Sequence, residues 1–231
     1  MTLLRWLPVF VLLAAGLYSV SPIVATGWAE TNPGPLKFNW AFVGYSKGDT
    51  GGELVRIDRD VELKSGDRFK FFFEMMQPGY MYLITHSSQE EIYLLFPGNL
   101  GRYDTPPPPA GSFYIPSGAN WFQLDHEKGQ ERFYLLVSTQ RLMELESLLK
   151  GYQDAAGAQR SAFKDSVINE IRRLRWKHRE FKKSAERPVA VMGQTRGIKR
   201  AALPDASAVS EMATAIEAKT FFSRTFTVDH Q

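Results

Sequence analysis

Apolar and polar residues alternate along several short stretches in the first half of the chain. Two runs place a large apolar side chain at every second position: Phe38, Trp40 and Phe42, and then Phe69, Phe71, Phe73 and Met75. A period of two puts these side chains on one face of an extended strand, so that one face is buried and the other exposed. The pattern therefore predicts a half-buried β-strand in each run.

Further strands are predicted from short apolar runs that lie between turn residues. These runs are Tyr80–His86, Glu91–Phe96, Ser112–Ile115, Trp121–Asp125, Arg132–Val137 and, near the end of the chain, Phe221–Asp229. A short polar link joins the first two runs, which indicates a β-hairpin. Strands at this spacing are typical of a sandwich or barrel, and we expect the last strand to return to the sheet.

Helical spacing replaces the alternation in the second half of the chain. Leu142, Leu145 and Leu149 fall on one face of a helix, with Thr139 as its N-cap and Gly151 at its C-terminal end. A longer amphipathic helix is predicted over residues 161–183, because its apolar positions step by three and four. Those positions are Phe163, Val167, Ile171, Leu174, His178 and Phe181. A third helix is expected over residues 205–218.

Together these patterns predict a mainly β fold, an antiparallel β-sandwich with a helical insertion, which makes it α+β overall. We expect the sandwich core over residues 30–138. The helical insertion, with its basic amphipathic helix, is expected over residues 139–219, and the returning strand over residues 220–231.

The first 29 residues have the order of a secretory signal peptide. A positive charge at Arg5 precedes the apolar run Leu7–Leu17, and the small residues Gly27 and Ala29 follow. Because the cleavage site needs small side chains three residues and one residue before the cut, we expect cleavage after Ala29. No stable transmembrane span would then remain. The alternative is an uncleaved anchor, since Leu7–Val24 approaches the length that spans a bilayer.

Composition narrows the classes of function. The chain has no cysteine, which excludes disulfides, thiolate chemistry and lipid attachment at a cysteine. The formal charge of +3 is too small to indicate nucleic acid as a partner. Residues 160–187 nevertheless hold ten basic and four acidic residues, a surplus of +6 that leaves −3 for the rest of the chain. An electrostatic partner would therefore meet this segment.

Candidate binding residues crowd into the second half of the predicted long helix. They are Arg172, Arg173, Arg175, Lys177, Arg179, Lys182 and Lys183, with Trp176 among them. This composition favours an anionic surface, such as phospholipid headgroups or an acidic polymer. The alternative is a solvated outer face of a helix that packs on the sandwich. The two are compatible, because packing uses the apolar stripe and binding uses the opposite side.

Histidines offer little chemistry. The four are His86, His126, His178 and His230, and none is paired at the spacing of a zinc site on a helix. We therefore expect no catalytic residue, no metal and no cofactor. A hydrolase that uses His126 with the nearby carboxylates of Asp125 and Glu127 is an alternative. Neighbours in such a segment point in different directions, which favours a solvated loop.

The order of strand and turn motifs resembles a bacterial family. The motifs are Leu63–Arg68, Gly79–Leu83, Leu94–Pro97, Tyr114–Pro116, Gly129–Glu131 and Leu135–Ser138. This order is similar to the family labelled domain of unknown function 4384, a β-rich module of exported proteins that is also appended to kinase-like and caspase-like proteins. The resemblance covers residues 63–138 and extends to the C-terminal strand. Relatives often have glycine in the hairpin turn, where this chain has Ser87–Glu90.

The resemblance implies a fold and a compartment but no activity, because its motifs are strand and turn signatures. We expect an exported, non-enzymatic module of the bacterial envelope, periplasmic or secreted. Its partner would be an envelope protein, an anionic polymer or a membrane surface. A structural component of a secretion or envelope complex is a further alternative.

Overall fold

The structure is a computed structural model that describes residues 34–48, 51–104, 110–179, 185–188 and 204–231. The predicted signal peptide and the candidates Lys182 and Lys183 lie outside these residues. The strands are β1 (Leu36–Gly48), β2 (Gly51–Arg56), β3 (Asp60–Leu63), β4 (Arg68–Met75), β5 (Tyr80–His86), β6 (Ile92–Phe96), β7 (Gly111–Ile115), β8 (Phe122–Gln123), β9 (Gly129–Ser138), β10 (Ala185–Pro188), β11 (Thr214–Ala218) and β12 (Phe221–His230). The helices are α1 (Met143–Asp154), α2 (Gly157–Lys177) and α3 (Ala206–Ser210), with a 3-10 turn at Leu100–Tyr103.

The strands form two sheets. One has the order β10-β11-β1-β4-β7, with β2 paired to β1 and β8 paired to β4; the other has the order β3-β12-β9-β5-β6. The described pairs are antiparallel, except that β3 lies parallel to β12. The predicted sandwich and the predicted β5–β6 hairpin are therefore confirmed.

Aromatic side chains fill the space between the two sheets. The alternating residues of β1 and β4 meet those of β9 and β12, and Phe42 stacks on Phe71 with ring centroids 4.0 Å apart. Phe133 and Phe226 contact the Phe42 ring from the opposite sheet. Each buried Phe contributes about 1.5–3 kcal/mol relative to an exposed one. This aromatic layer stabilises the sandwich in a chain without disulfides.

The C-terminal strand returns to the sheet, as the alternation predicted. β12 pairs with β9 along its whole length, from Phe221 opposite Ser138 to His230 opposite Gly129. Its position between β3 and β9 joins the end of the chain to the centre of one sheet. Phe226 and Val228 are fully buried as a result.

The helices cover the outer faces of the sandwich. α1 and α2 bury their apolar side chains against the outer face of β5 and β9, where Tyr82 and Leu136 are fully buried. On the other sheet, Val209 and Ala213, within and just after α3, cover Phe72 on the outward face of β4. The structure is therefore layered, with helices on both outer faces.

Several predicted boundaries of the helices are wrong. The third helix ends at Ser210, and Thr214–Ala218 is instead strand β11, which pairs with β1. The first helix begins after Leu142 rather than after Thr139. It also continues past Gly151 to Asp154. A Cβ on Gly151 would collide with the Phe163 ring of α2. That glycine allows close packing of the two helices rather than ending one.

The hairpin turn contains a glutamate in an unusual conformation. Glu90 has a φ of 63°, in the left-handed region that favours glycine. Its N–H donates to the carbonyl of Ser87 over 3.0 Å, and the N–H of Glu91 donates to Ser87 Oγ over 3.2 Å. The turn thereby presents two adjacent carboxylates toward α2.

Candidate functional site

The apolar stripe of α2 fixes which side of the helix faces solvent. Val167, Ile171 and Leu174 are buried against the sheet and α1, while Phe163 packs at the edge of the same cluster. Because these positions share one face of the helix, the cations between them are turned outward or toward the two ends. The predicted stripe is confirmed as far as the helix ends, at Lys177.

The cations in the first half of α2 are held by the hairpin turn. Arg160 Nη2 donates to Glu91 Oε2 over 2.7 Å, and Lys164 Nζ donates to Glu90 Oε2 over 2.7 Å. The hydrogen bond from Lys164 lowers the pKa of Glu90, and the hydrogen bond from the Tyr152 hydroxyl lowers the pKa of Glu91. These cations fasten α2 to the β5–β6 hairpin.

Two of the predicted binding residues are also engaged within the protein. Arg173 forms a double hydrogen bond with the carboxylate of Glu170, with both N···O distances 2.6 Å. Glu170 is buried, and this pairing raises the pKa of Arg173. Arg175 is half-buried and turns to a cavity of about 440 Å³ beside β12. Arg173 stays exposed, but its charge is paired with Glu170, and Arg175 lies against the cavity wall.

The cavity beside β12 carries both signs of charge. Arg59, Arg175 and Arg224 line it together with Asp60 and Glu186. Arg224 donates to Glu186 over 2.5 Å, and its guanidinium lies 5.0 Å from the centroid of the Trp40 ring. The arginine therefore closes the edge of the sandwich core. Mixed charges of this kind select no single ligand class.

The remaining described cations form an exposed surface at the end of α2. Arg172, Lys177 and Arg179 are exposed, and Trp176 leaves 67% of its surface open to solvent. Arg172 and Trp176 are four residues apart and so are neighbours on the helix. The Arg179 guanidinium lies 5.5 Å from the centroid of the Trp176 ring. We call these four residues the α2 end surface.

His126 is exposed in the loop between β8 and β9. It lines neither the cavity beside β12, which His178 lines, nor a second cavity that its neighbours Asp125 and Glu127 line. Asp125 Oδ1 instead accepts from the N–H of Glu127 over 2.8 Å, and His86 contacts Glu90 at 3.2 Å. Within the described ranges, no three His, Asp or Glu side chains converge in the manner of a metal site. The structure thus leaves His126 outside both cavities.

Sequence reasoning missed the pairing that removes several cations from the binding surface. The Glu170–Arg173 spacing of three residues is a helical pair and was a usable signal. The partners of Arg160 and Lys164 come from the hairpin about seventy residues earlier, and no local pattern shows them. None of the helices among the described residues is long and apolar enough to cross a membrane.

Comparison with known proteins supports the resemblance over a segment. Residues 62–141 match the family model described as Domain of unknown function (DUF4384), as the order of motifs predicted. The matched segment supplies β4, β7 and β8 to one sheet and β5, β6 and β9 to the other. β1, β11 and β12 lie outside it. Neither the curated proteins nor the solved structures gave a match.

Proposed function

We propose that this chain is a non-enzymatic binding module of the bacterial cell envelope that docks on an anionic surface through the α2 end surface. The observation that carries this proposal is the exposure of Trp176, 67% open to solvent beside Arg172 and Arg179. Export of the chain, as its first 29 residues predict, would bring this surface to envelope lipids and polymers.

The chemistry of the α2 end surface suits an interface between water and an anionic layer. Tryptophan is amphipathic and prefers the headgroup region, where its ring is partly desolvated and its N–H stays hydrogen-bonded. Each basic residue near an anionic surface contributes about 1 kcal/mol. Arg172, Lys177 and Arg179 together supply about 3 kcal/mol, which supports reversible docking and depends on salt.

The packing of α2 leaves this surface free to bind. The apolar stripe of α2 is buried against the sandwich. Ion pairs in the first half of α2 hold the helix in place. A rigid helix presents its charges without a folding cost on binding. Substitutions on the α2 end surface are therefore expected to change binding without changing the fold.

Vesicle sedimentation tests the proposal. The chain that begins at Glu30 is mixed with vesicles of phosphatidylglycerol and phosphatidylethanolamine, or with an acidic envelope polymer. A triple variant carries Arg172→Gln, Lys177→Gln and Arg179→Gln. It is expected to bind at least about tenfold more weakly, because losing about half of the roughly 3 kcal/mol of attraction already corresponds to a factor of ten. Binding by the parent is also expected to fall as the Debye length shrinks from about 10 Å at 0.1 M salt to about 3 Å at 1 M.

A matched control separates the position of the charges from their number. Arg102→Gln, Lys128→Gln and Arg132→Gln change three exposed cations elsewhere and give the same net charge. This control is expected to bind like the parent. Equal binding by the parent and the α2 triple variant, or no binding by the parent to either anionic surface, would overturn the proposal. A hydrolase that worked through His126 would respond to neither triple substitution.

A further inference from the structure

A second cavity opens at one end of the sandwich, between the β5–β6 hairpin and the segment around β8. Its volume is about 250 Å³. Aromatic side chains form much of its wall: Phe69, Tyr93, Phe122 and Phe133. These rings come from both sheets, so the cavity opens where the edges of the two layers meet.

The charged side chains on this cavity are of one sign. Among the described residues, Asp125, Glu127 and Glu131 line it, and no lysine or arginine does. Glu131 Oε1 is fixed by the N–H and hydroxyl of Ser88, at 3.1 and 3.0 Å. His230 also lines the cavity, and its Nε2 lies 3.0 Å from Ser65 Oγ. The site is therefore electronegative and partly held in position before any ligand arrives.

A buried hydroxyl without a partner lies on the same cavity. Thr85 follows Met81 and Leu83 on the inward face of β5 and is only 7% exposed. Its Oγ1 has no hydrogen-bond partner among the described residues. A buried hydroxyl left unpaired destabilises the folded protein, so such groups are uncommon unless something else satisfies them. This hydroxyl is available to hydrogen-bond a polar group that enters the cavity.

We infer that this cavity binds an organic cation, an ammonium group on a short alkyl chain. Aromatic rings attract cations through their faces, and the three carboxylates supply the opposite charge. Thr85 Oγ1 would accept one N–H of the ammonium, while the alkyl chain would contact the Phe rings. The volume lies below the roughly 300–1,000 Å³ of sites for drug-sized molecules, which favours a ligand of only a few heavy atoms.

The inference is independent of the proposed function. The α2 end surface is cationic and open, whereas this cavity is acidic and recessed, so the two attract opposite ligands. The shared chemistry fits either a lysine side chain of a protein partner or a free aliphatic amine. Failure of one proposal leaves the other untouched.

Titration with a matched pair of probes tests the inference. The ¹⁵N-labelled full chain is titrated with n-butylamine and with 1-butanol, which has nearly the same shape and no charge. We expect butylamine to shift the amide signals around Thr85 and Asp125, and butanol to bind about tenfold more weakly. Equal binding of the two probes would overturn the choice of a cation, and so would the absence of any shift with butylamine.

Two variants locate the site. Asp125→Asn with Glu127→Gln keeps the shape of both side chains and is expected to weaken butylamine about tenfold. Thr85→Val removes the hydroxyl alone and is expected to weaken butylamine about fivefold without lowering the melting temperature, because no hydrogen bond within the protein is lost. Glu53→Gln with Asp154→Asn, two exposed acids elsewhere, is the matched control. Unchanged binding in both site variants would refute the inference.

Blocked lysine and 1,4-diaminobutane distinguish the source of the ammonium. Nα-acetyl-lysine N-methylamide binding at least as tightly as butylamine supports a lysine side chain of a partner. Tighter binding of the diamine supports a free amine, because its second ammonium meets the remaining carboxylates at the mouth. Either result supports a site for an alkylammonium group.

Discussion

Lys70 is a fully buried cation that pairs with no carboxylate among the described residues. Its ammonium, on β4, donates to the carbonyls of Pro116, Gly118 and Asn120, and so ties down the loop between β7 and β8. The rings of Tyr114 and Trp121 flank it with centroids 5.8 and 5.9 Å away. Replacing Lys70 with methionine removes the charge and the donors while keeping most of the apolar stem.

The expected loss of stability in Lys70→Met is the difference between two large effects, the hydrogen bonds of the ammonium and the desolvation of its charge. Each hydrogen bond to a charged group contributes about 1.5–3 kcal/mol, so three bonds stabilise the loop by roughly 5–9 kcal/mol before the cost of burial. Burial lowers the pKa of Lys70, which shows that desolvation opposes the charged form. Desolvation of a buried ion costs several kcal/mol. We expect Lys70→Met to lower the free energy of unfolding by about 2 kcal/mol.

Thermal and urea unfolding measure this loss directly. For a domain of this size, about 2 kcal/mol corresponds to a fall of roughly 4–8 °C in melting temperature. Lys150→Met is the control, because Lys150 is exposed on α1 and its replacement is expected to change stability by less than about 0.5 kcal/mol. A Lys70→Met variant as stable as the parent, or more stable, would show that desolvation cancels the three hydrogen bonds.

Two further predictions concern how the helices hold to the sheet. Tyr82 Oη donates to buried Glu146 and accepts the N–H of Leu142 over 3.1 Å, so Tyr82→Phe is expected to cost about 2 kcal/mol in urea unfolding; an unchanged midpoint would contradict this. Burial, then the charges of Lys177 and Arg173, lowers the pKa of His178. The stability this gives is present above pH 6.5 and lost as the pH falls through the folded-state pKa, so the parent should lose more stability on acidification than His178→Phe. Parallel melting curves against pH would refute it.

The alternation of aromatic residues predicted the strands because each strand has one face on the core. The alternation predicted burial less well where a helix covers the outward face of a strand. Phe72 looks like an exposed position in the β4 pattern, yet it is 5% exposed because α3 packs over it. Residues that cover an outward face come from far along the chain, and the local period does not contain them.

β11 shows a local preference overridden by pairing. Its sequence, Thr-Ala-Ile-Glu-Ala, contains Ala and Glu and suits a helix. The structure instead aligns Ile216 with Phe38 of β1, where Ile216 and Ala218 are buried in the core. An open edge of β1 offers a row of unpaired backbone groups and an apolar surface, and together these outweigh the few tenths of a kcal/mol per residue in helix propensity.

The sequence predicted an exposed basic face on α2 but not how many of its cations are paired within the protein. A count of charges along α2 treats every cation as available, whereas Arg160, Lys164 and Arg173 each face a carboxylate. Exposed ion pairs add only about 0–1 kcal/mol of stability each, but each one still weakens the field that its cation shows to a partner. The proposed docking therefore depends on the few cations that remain near Trp176.

Pairing of this kind explains why the two proposed sites lie on different parts of the same chain. The hairpin turn uses its outward carboxylates, Glu90 and Glu91, to hold α2. The carboxylates that face the end of the sandwich, Asp125 and Glu127, meet no cation on the wall of their cavity within the described residues. Opposite charges that fold the protein cancel one another, so the charges left uncompensated mark the places where a partner of opposite sign gains the most from contact.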